Sequence, residues 1–175
     1  MIDIGGGSTE LVVGAHGEVE FHVSTQAGVV RHTERHIHSD PPAREELAEL
    51  GRDVRPLLEE AVWPETRSSV RAAVAVAGTA TSCAAIDLEL EPYDPARVEG
   101  HELTVERLGE LLDRLAAMPL AERRQVAGLH PDRAPTIVAG LIILTEALEA
   151  FGLASVEVSE RDILWGVALD SAPET

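Results

Sequence analysis

An aspartate, three consecutive glycines, two hydroxyl residues and a glutamate run together near the amino end, as Asp3-Ile4-Gly5-Gly6-Gly7-Ser8-Thr9-Glu10-Leu11. Three glycines between two apolar stretches are costly in chain entropy and need a reason. One reading is a tight hairpin turn, although a two-residue turn asks for one or two glycines and seldom three. The other is close approach of a ligand: without side chains, successive backbone N–H groups can wrap a phosphate. Asp3 ends the stretch before the loop, and Glu10 lies just past it. A carboxylate beside a bound phosphate repels it unless a divalent cation lies between them. Mg²⁺ suits such a place, with few carboxylates and several waters.

A second turn of this kind is Val76-Ala77-Gly78-Thr79-Ala80-Thr81, where a short apolar run enters a small-residue helix through glycine and a hydroxyl residue. The start of such a helix offers unpaired N–H groups and the positive end of its dipole. The plainer reading is that Thr79 caps the helix. Two phosphate-binding turns, each following a strand, would clamp one phosphate chain between them. His32 and His36, four residues apart with His38 nearby, have a spacing that can bind zinc, but the intervening Glu34 does not make the metalloprotease arrangement. A solvent-facing helix is the simpler expectation there. Cys83 among alanines reads as buried and inert, the acids Glu45, Glu46 and Glu49 as a solvated face, and Trp63 and Trp165 as core or contact residues.

Composition limits the partners. The 175 residues carry 31 acids against 14 bases, a net charge of −17, and every base is arginine. With no lysine there is neither a Schiff base nor a Walker-type phosphate lysine. So acidic a chain is repelled by duplex nucleic acid and by anionic membranes. Aromatic residues are only 3%, which argues against a stacking platform for single strands. A single cysteine rules out an intrachain disulfide and a cysteine-rich zinc site. No signal peptide or membrane-spanning run is evident, so a reducing, cytoplasmic setting is expected.

These residues need strands and helices to hold them. Met1–Ile4, Thr9–Val13 and Glu18–Val23 predict a three-stranded meander with the glycines as its first turn. Helices are predicted over Gly28–His38 and Ala43–Val62, the latter opened by Asp40 as cap and bent or broken at Pro56. A short buried strand at Ala72–Ala77 leads into a helix to about Leu88. Thr104 caps a helix bearing Leu108, Leu111 and Leu115. A short helix follows at Leu120–Val126, and Asp132 opens the most apolar helix, which ends at Gly152. Val156–Val158 predicts a last strand and Ile163–Leu169 a last helix. Strands and helices alternate, so the class is α/β in one compact domain spanning residues 1–175.

Asp3–Leu11 resembles the phosphate motif of the Ppx/GppA family, the exopolyphosphatases and guanosine pentaphosphate phosphatases. The likeness continues through Gly78–Thr81, Tyr93–Thr104, Pro131–Ala134, Ala139-Gly140 and Ser159–Gly166, in the family's order. It implies a ribonuclease-H-like domain of the actin-like ATPase superfamily, with a mixed sheet and flanking helices. It further implies that this is the second, C-terminal domain of two, and that the missing N-terminal half supplies another phosphate loop and the glutamate that activates water. By the same resemblance Asp3 holds Mg²⁺, and Glu10 lies near the metal and the water. Gly5, Gly6, Gly7 and Ser8 form one phosphate loop, Gly78, Thr79 and Ala80 the other, and Arg133 meets substrate phosphate. Arg161 is displaced from the arginine of many relatives and receives no role.

The implied activity is Mg²⁺-dependent hydrolysis of polyphosphate or of guanosine pentaphosphate, pppGpp. A rival from another class is a domain that grips phosphate or nucleotide without hydrolysing it. Half of a sugar or acetate kinase is disfavoured by Gly100–Thr104 and the late arginine. The face that would meet the other domain is expected to be apolar and to favour a homodimer.

Overall fold

Strand β1 (Ile2–Ile4) turns through the glycines into β2 (Thr9–Ala15), and β3 (Glu18–Thr25) completes the expected meander. The computed structural model describes residues 1–16 and 18–161. The expected helix at Ile163–Leu169, with Trp165, lies outside the described residues. Three further strands, β4 (Val74–Val76), β5 (Glu102–Thr104) and β6 (Ser155–Val158), extend the sheet to the order β3-β2-β1-β4-β6-β5. The β1–β4 and β4–β6 pairs are parallel and the others antiparallel. This is the mixed sheet of an α/β domain.

Alternation along the strands divides the sheet into two faces. In register, Ile2 stands beside Leu11 and Ala75, and Ala75 beside Val158; all four are buried in the core. Asp3, Glu10 and Ser24 occupy the intervening positions and share the opposite face. The apolar face is covered by helices. Helix α8 (Ile137–Ala150) is buried along most of its length and packs on β1, α1 (Val29–His36), α2 (Arg44–Ala61), α4 (Ala77–Asp87) and α6 (Val105–Ala116). Alanines let α4 lie close beneath β1 and β4. Short helices α3 (Pro64–Ser69), α5 (Pro95–Val98) and α7 (Leu120–Arg123) complete the set. Among the described residues, no helix is long and apolar enough to cross a membrane.

Several local expectations change. Helix α2 runs on through Pro56, because the carbonyl that loses its amide partner is that of Arg52, on the exposed side. Asp40 does not cap α2; its Oδ1 accepts from Leu120 N at 2.7 Å, at the start of α7. Asp132 does not open α8. Pro135 has no amide to offer Pro131, so residues Pro131–Arg133 form a 3₁₀ turn closed by Ala134 N on Pro131 O, and α8 begins at Ile137. Trp63 is 73% exposed and contributes nothing to the core. Thr104 does cap α6, accepting from Arg107 N at 3.1 Å.

Buried Arg123 joins three segments: Nε donates to Leu115 O at 2.9 Å, Nη2 to Met118 O at 2.8 Å and Nη1 to Ala134 O at 3.3 Å. The end of α6 is thereby tied to the approach to α8.

Glu46 is likewise no mere surface acid. Its carboxylate accepts from the Ser39 hydroxyl and from the amides of Ala43, His38 and Ser39, and these bonds pull its pKa down to about 2. A depressed carboxyl contributes stability above the ordinary carboxylate range and loses it as pH falls toward about 2. On acidification, amide exchange at His38, Ser39 and Ala43, taken relative to the intrinsic rate at each pH, is therefore expected to speed up across that window. In Glu46→Gln it should already be fast at neutral pH. Exchange that is unchanged in the variant would remove Glu46 from this role.

Candidate phosphate site at the ends of β1 and β4

The glycine loop is held from the α1 side. Gly5 N donates to Ser8 O at 2.9 Å and closes the turn. The loop carbonyls face α1: Gly5 O accepts from Val29 N at 3.0 Å, and Gly6 O from Val30 N at 2.9 Å and Arg31 N at 3.3 Å. Gly7 O accepts from Arg31 Nε at 3.3 Å. In a planar trans peptide the carbonyl of one residue and the amide of the next point in opposite directions. The N–H groups of Gly6, Gly7 and Ser8 therefore all point away from α1. Three successive amides aimed the same way form an anion cradle.

None of the three glycines has the positive φ that would by itself demand glycine. A side chain at Gly7 would meet no protein atom within 4 Å, so its absence leaves open surface beside the amides. Gly28 is the residue that protein packing requires to be glycine. A Cβ there would lie 2.2 Å from the carbonyl carbon of Gly7.

Asp3 stands directly opposite Glu10 in the β1–β2 ladder, and Glu10 opposite Ser24 in the β2–β3 ladder. Glu10 Oε1 accepts from Ser8 Oγ and from Ser24 Oγ, each at 2.7 Å. Two carboxylates beside a row of amides suit Mg²⁺, which completes its shell with water and phosphate oxygens rather than a cage of side chains. Among the described residues, no group of three or more His, Cys, Asp and Glu is placed to hold a metal, so any cation here would rely on such outside ligands.

Parallel pairing of β1 with β4 brings the second turn to the same sheet edge, with Asp3 beside Val76. The chain enters α4 through Ala77 at φ 62°, a left-handed conformation unusual outside glycine. The Thr79 hydroxyl does not cap α4. It donates to Ile4 O at 3.0 Å, joining the second turn to the strand that carries the first. Its Cγ2 lies where a Cβ on Gly140 would come, at 2.6 Å. Ala80 is buried. What this turn can present is therefore backbone, the unpaired first-turn amides of α4. Arg133 is exposed, and its guanidinium rests on Gly78, where a Cβ would come within 1.6 Å of Nη1.

A cavity of about 940 Å³ opens beside this arginine, lined by Thr81, Ser82, Tyr93, Arg124, His130 and Glu160 among others. The Tyr93 hydroxyl donates to Glu160. Burial, then that carboxylate, pushes the phenol up to about 12, so it remains a donor.

The fold thus brings Asp3, Glu10, the glycine loop, Gly78–Ala80 and Arg133 to one edge of the sheet. His32 and His36 sit on α1 and are not solvent-facing. His32 is 1% exposed, with Nδ1 3.0 Å from Gly28 O, and His36 Nε2 bonds Asp53 Oδ2 at 3.0 Å. Burial pushes the His32 pKa down, and the His36 bond pulls that of Asp53 down. Cys83 is buried as expected, and burial pushes its thiol up to about 12. Sequence reasoning missed Ser24, Gly28 and Arg31. Only the phasing of the strands could have aligned Ser24 with Glu10. The Gly28–Arg31 stretch was legible merely as the start of a helix.

A model of the family described as the Ppx/GppA phosphatase family matches residues 1–175. Exopolyphosphatase 2 of Mycobacterium tuberculosis is 39% identical over 176 residues, covering 98% of this chain and 55% of that protein. Exopolyphosphatase 1 of the same organism is 33% identical over 170 residues, covering 96% and 49%. Among solved structures, the type II variant of the Aquifex aeolicus Ppx/GppA phosphatase superposes with a TM-score of 0.89 at 31% identity, covering 98% of this chain and 56% of that one. The chain spans about half the length of the relatives it matches. Its α/β architecture, a mixed sheet with flanking helices, is the actin-like ATPase fold of these neighbours. With the family model matching residues 1–175 and the relatives aligning over nearly the whole chain, this chain belongs to the Ppx/GppA phosphatase family.

Proposed function

We propose that this chain supplies one wall of a site for Mg²⁺-dependent hydrolysis of phosphoanhydrides, with inorganic polyphosphate or pppGpp as substrate. The observation that carries the reading is the row of amides from Gly6, Gly7 and Ser8, turned away from α1 and set beside the Asp3–Glu10 pair. Those amides and the first-turn amides of Gly78 and Thr79 would hold phosphoryl oxygens, with Arg133 as the cationic partner. Fixed donors of this kind stabilise charge that develops on the transferring group. Mg²⁺, held by Asp3 and Glu10, would neutralise part of the same charge when bound. The net charge of −17 opposes a polyanion at long range, so these donors must offset it locally. A preceding domain would supply the opposite wall and the water-activating glutamate. The relatives named exopolyphosphatase favour hydrolysis over simple binding.

Asp3→Asn removes a full ligand charge, and Mg²⁺-dependent pyrophosphate affinity is expected to fall about 10- to 100-fold. Titration calorimetry reads this directly; equal affinity would remove Asp3 from the metal site. Phosphate release from polyphosphate should be poor for the 175 residues alone and rise about 10²–10⁴-fold with the preceding domain attached, the usual worth of a general base. Equal turnover by both would overturn this division of labour. Phosphate binding without turnover by the longer protein would favour the non-hydrolysing alternative.

A further inference from the structure

Glu10 reaches the face of the sheet from the middle of a three-strand ladder, and two hydroxyls converge on one of its oxygens. Ser8, from the loop, and Ser24, from the neighbouring strand β3, both donate to Oε1 at 2.7 Å. Neither hydroxyl engages Oε2. A glutamate side chain on an open sheet face has three rotatable bonds and no packing to choose among their rotamers. Two short bonds, one from the loop and one from β3, fix it. Ser24 stands directly across the ladder from Glu10, so its hydroxyl meets the carboxylate whatever conformation the loop adopts.

We infer that Ser24 is a positioning residue for Glu10: it holds Oε1 so that Oε2 stays directed to the divalent cation beside Asp3. The inference rests on the phosphate-site reading above and adds a residue fourteen positions beyond Glu10. Ser8 serves the loop as well as the carboxylate, whereas Ser24 touches the site through Glu10. Its loss should therefore be felt through the cation and not through the amide cradle.

The two roles separate in one titration. Inorganic pyrophosphate is added to the ¹⁵N-labelled chain with and without Mg²⁺, and the amide shifts of Gly6, Gly7 and Ser8 give the affinity at the site. In Ser24→Ala the tightening due to Mg²⁺ is expected to shrink about tenfold, as when a partner of a ligating carboxylate is removed. Affinity without Mg²⁺ should be unchanged. Ser24→Thr restores the hydroxyl on a position that suits β-branched residues and should recover the tightening; Ser24→Val, of the same shape, should not. An undiminished Mg²⁺ effect in Ser24→Ala overturns the inference. So does an equal loss with and without Mg²⁺, or failure of Ser24→Thr to recover. If the unmodified chain shows no shifts with Mg²⁺ and pyrophosphate, the phosphate-site reading itself falls and takes this inference with it. A response to pyrophosphate that Mg²⁺ does not strengthen removes the cation, and with it the role of Ser24.

Discussion

Gly28→Ala is expected to weaken pyrophosphate binding about 100-fold, although residue 28 lies outside the glycine motif. The added methyl would sit 2.2 Å from the Gly7 carbonyl carbon and 2.5 Å from both Gly6 O and Gly7 Cα. All three are backbone atoms, so no side chain can swing aside and the loop must move by about 1 Å to reach an ordinary contact. That shift pulls Gly5 O and Gly6 O from the amides of Val29 and Val30, and the outward amides lose their common aim. A misplacement of about 1 Å commonly costs a factor of about 10² in a site that depends on position. Overpacking should also cost about 1–3 kcal/mol of stability. The comparison is Gly7→Ala, whose methyl meets no protein atom within 4 Å and should leave the melting temperature unchanged while still crowding the anion. If Gly28→Ala binds pyrophosphate as the parent does, the α1 contact does not aim the loop.

Arg123→Met should be the most destabilising single change considered, by about 3 kcal/mol. The methionine fills much of the same space but offers no donors to Leu115 O, Met118 O and Ala134 O. Leu115 O retains a bond from Met118 N, so the loss there is partial. The other two carbonyls lose a charge-assisted donor in a buried place, at about 1–3 kcal/mol each before relaxation. For a chain of this size 3 kcal/mol lowers the melting temperature by about 10 °C. Arg123→Lys should recover little, because one ammonium cannot reproduce a planar fork aimed at three acceptors. A melting temperature within about 2 °C of the parent in both variants would show that the α6–α8 junction does not depend on this side chain.

The elements legible in the sequence were those whose cause is local. The glycine run with its flanking apolar stretches announced the meander, and Thr104 announced the start of α6. Asp3, Glu10 and the two glycine turns could be picked out as candidates because their residue types are unusual where they stand. Their assembly at one edge depends on the parallel β1–β4 pair, which no local pattern encodes. Ser24 and Gly28 escaped for the same reason, since each matters through a neighbour distant in the chain. His32 was misjudged because its polarity suggested solvent, whereas its ring bonds the Gly28 backbone and so can be buried. Strand β5 is only three residues long and is defined by its pairing with β6. Trp63 was read as a core or contact residue, and the fold leaves it outside the core.

The bond from Thr79 to Ile4 spans 75 positions of chain. The β1–β2–β3 meander can form from nearby contacts, but pairing β1 with β4 must first close a long loop at an entropic cost. The glycine turn can therefore exist early in folding, while the complete two-turn site exists only once the sheet has closed. A phosphate ligand that needs both turns binds the fully folded chain and not its earlier states, so by mass action it raises the population of the closed sheet. In the order of folding events, competence to bind comes last, and binding in turn favours the chain that has finished.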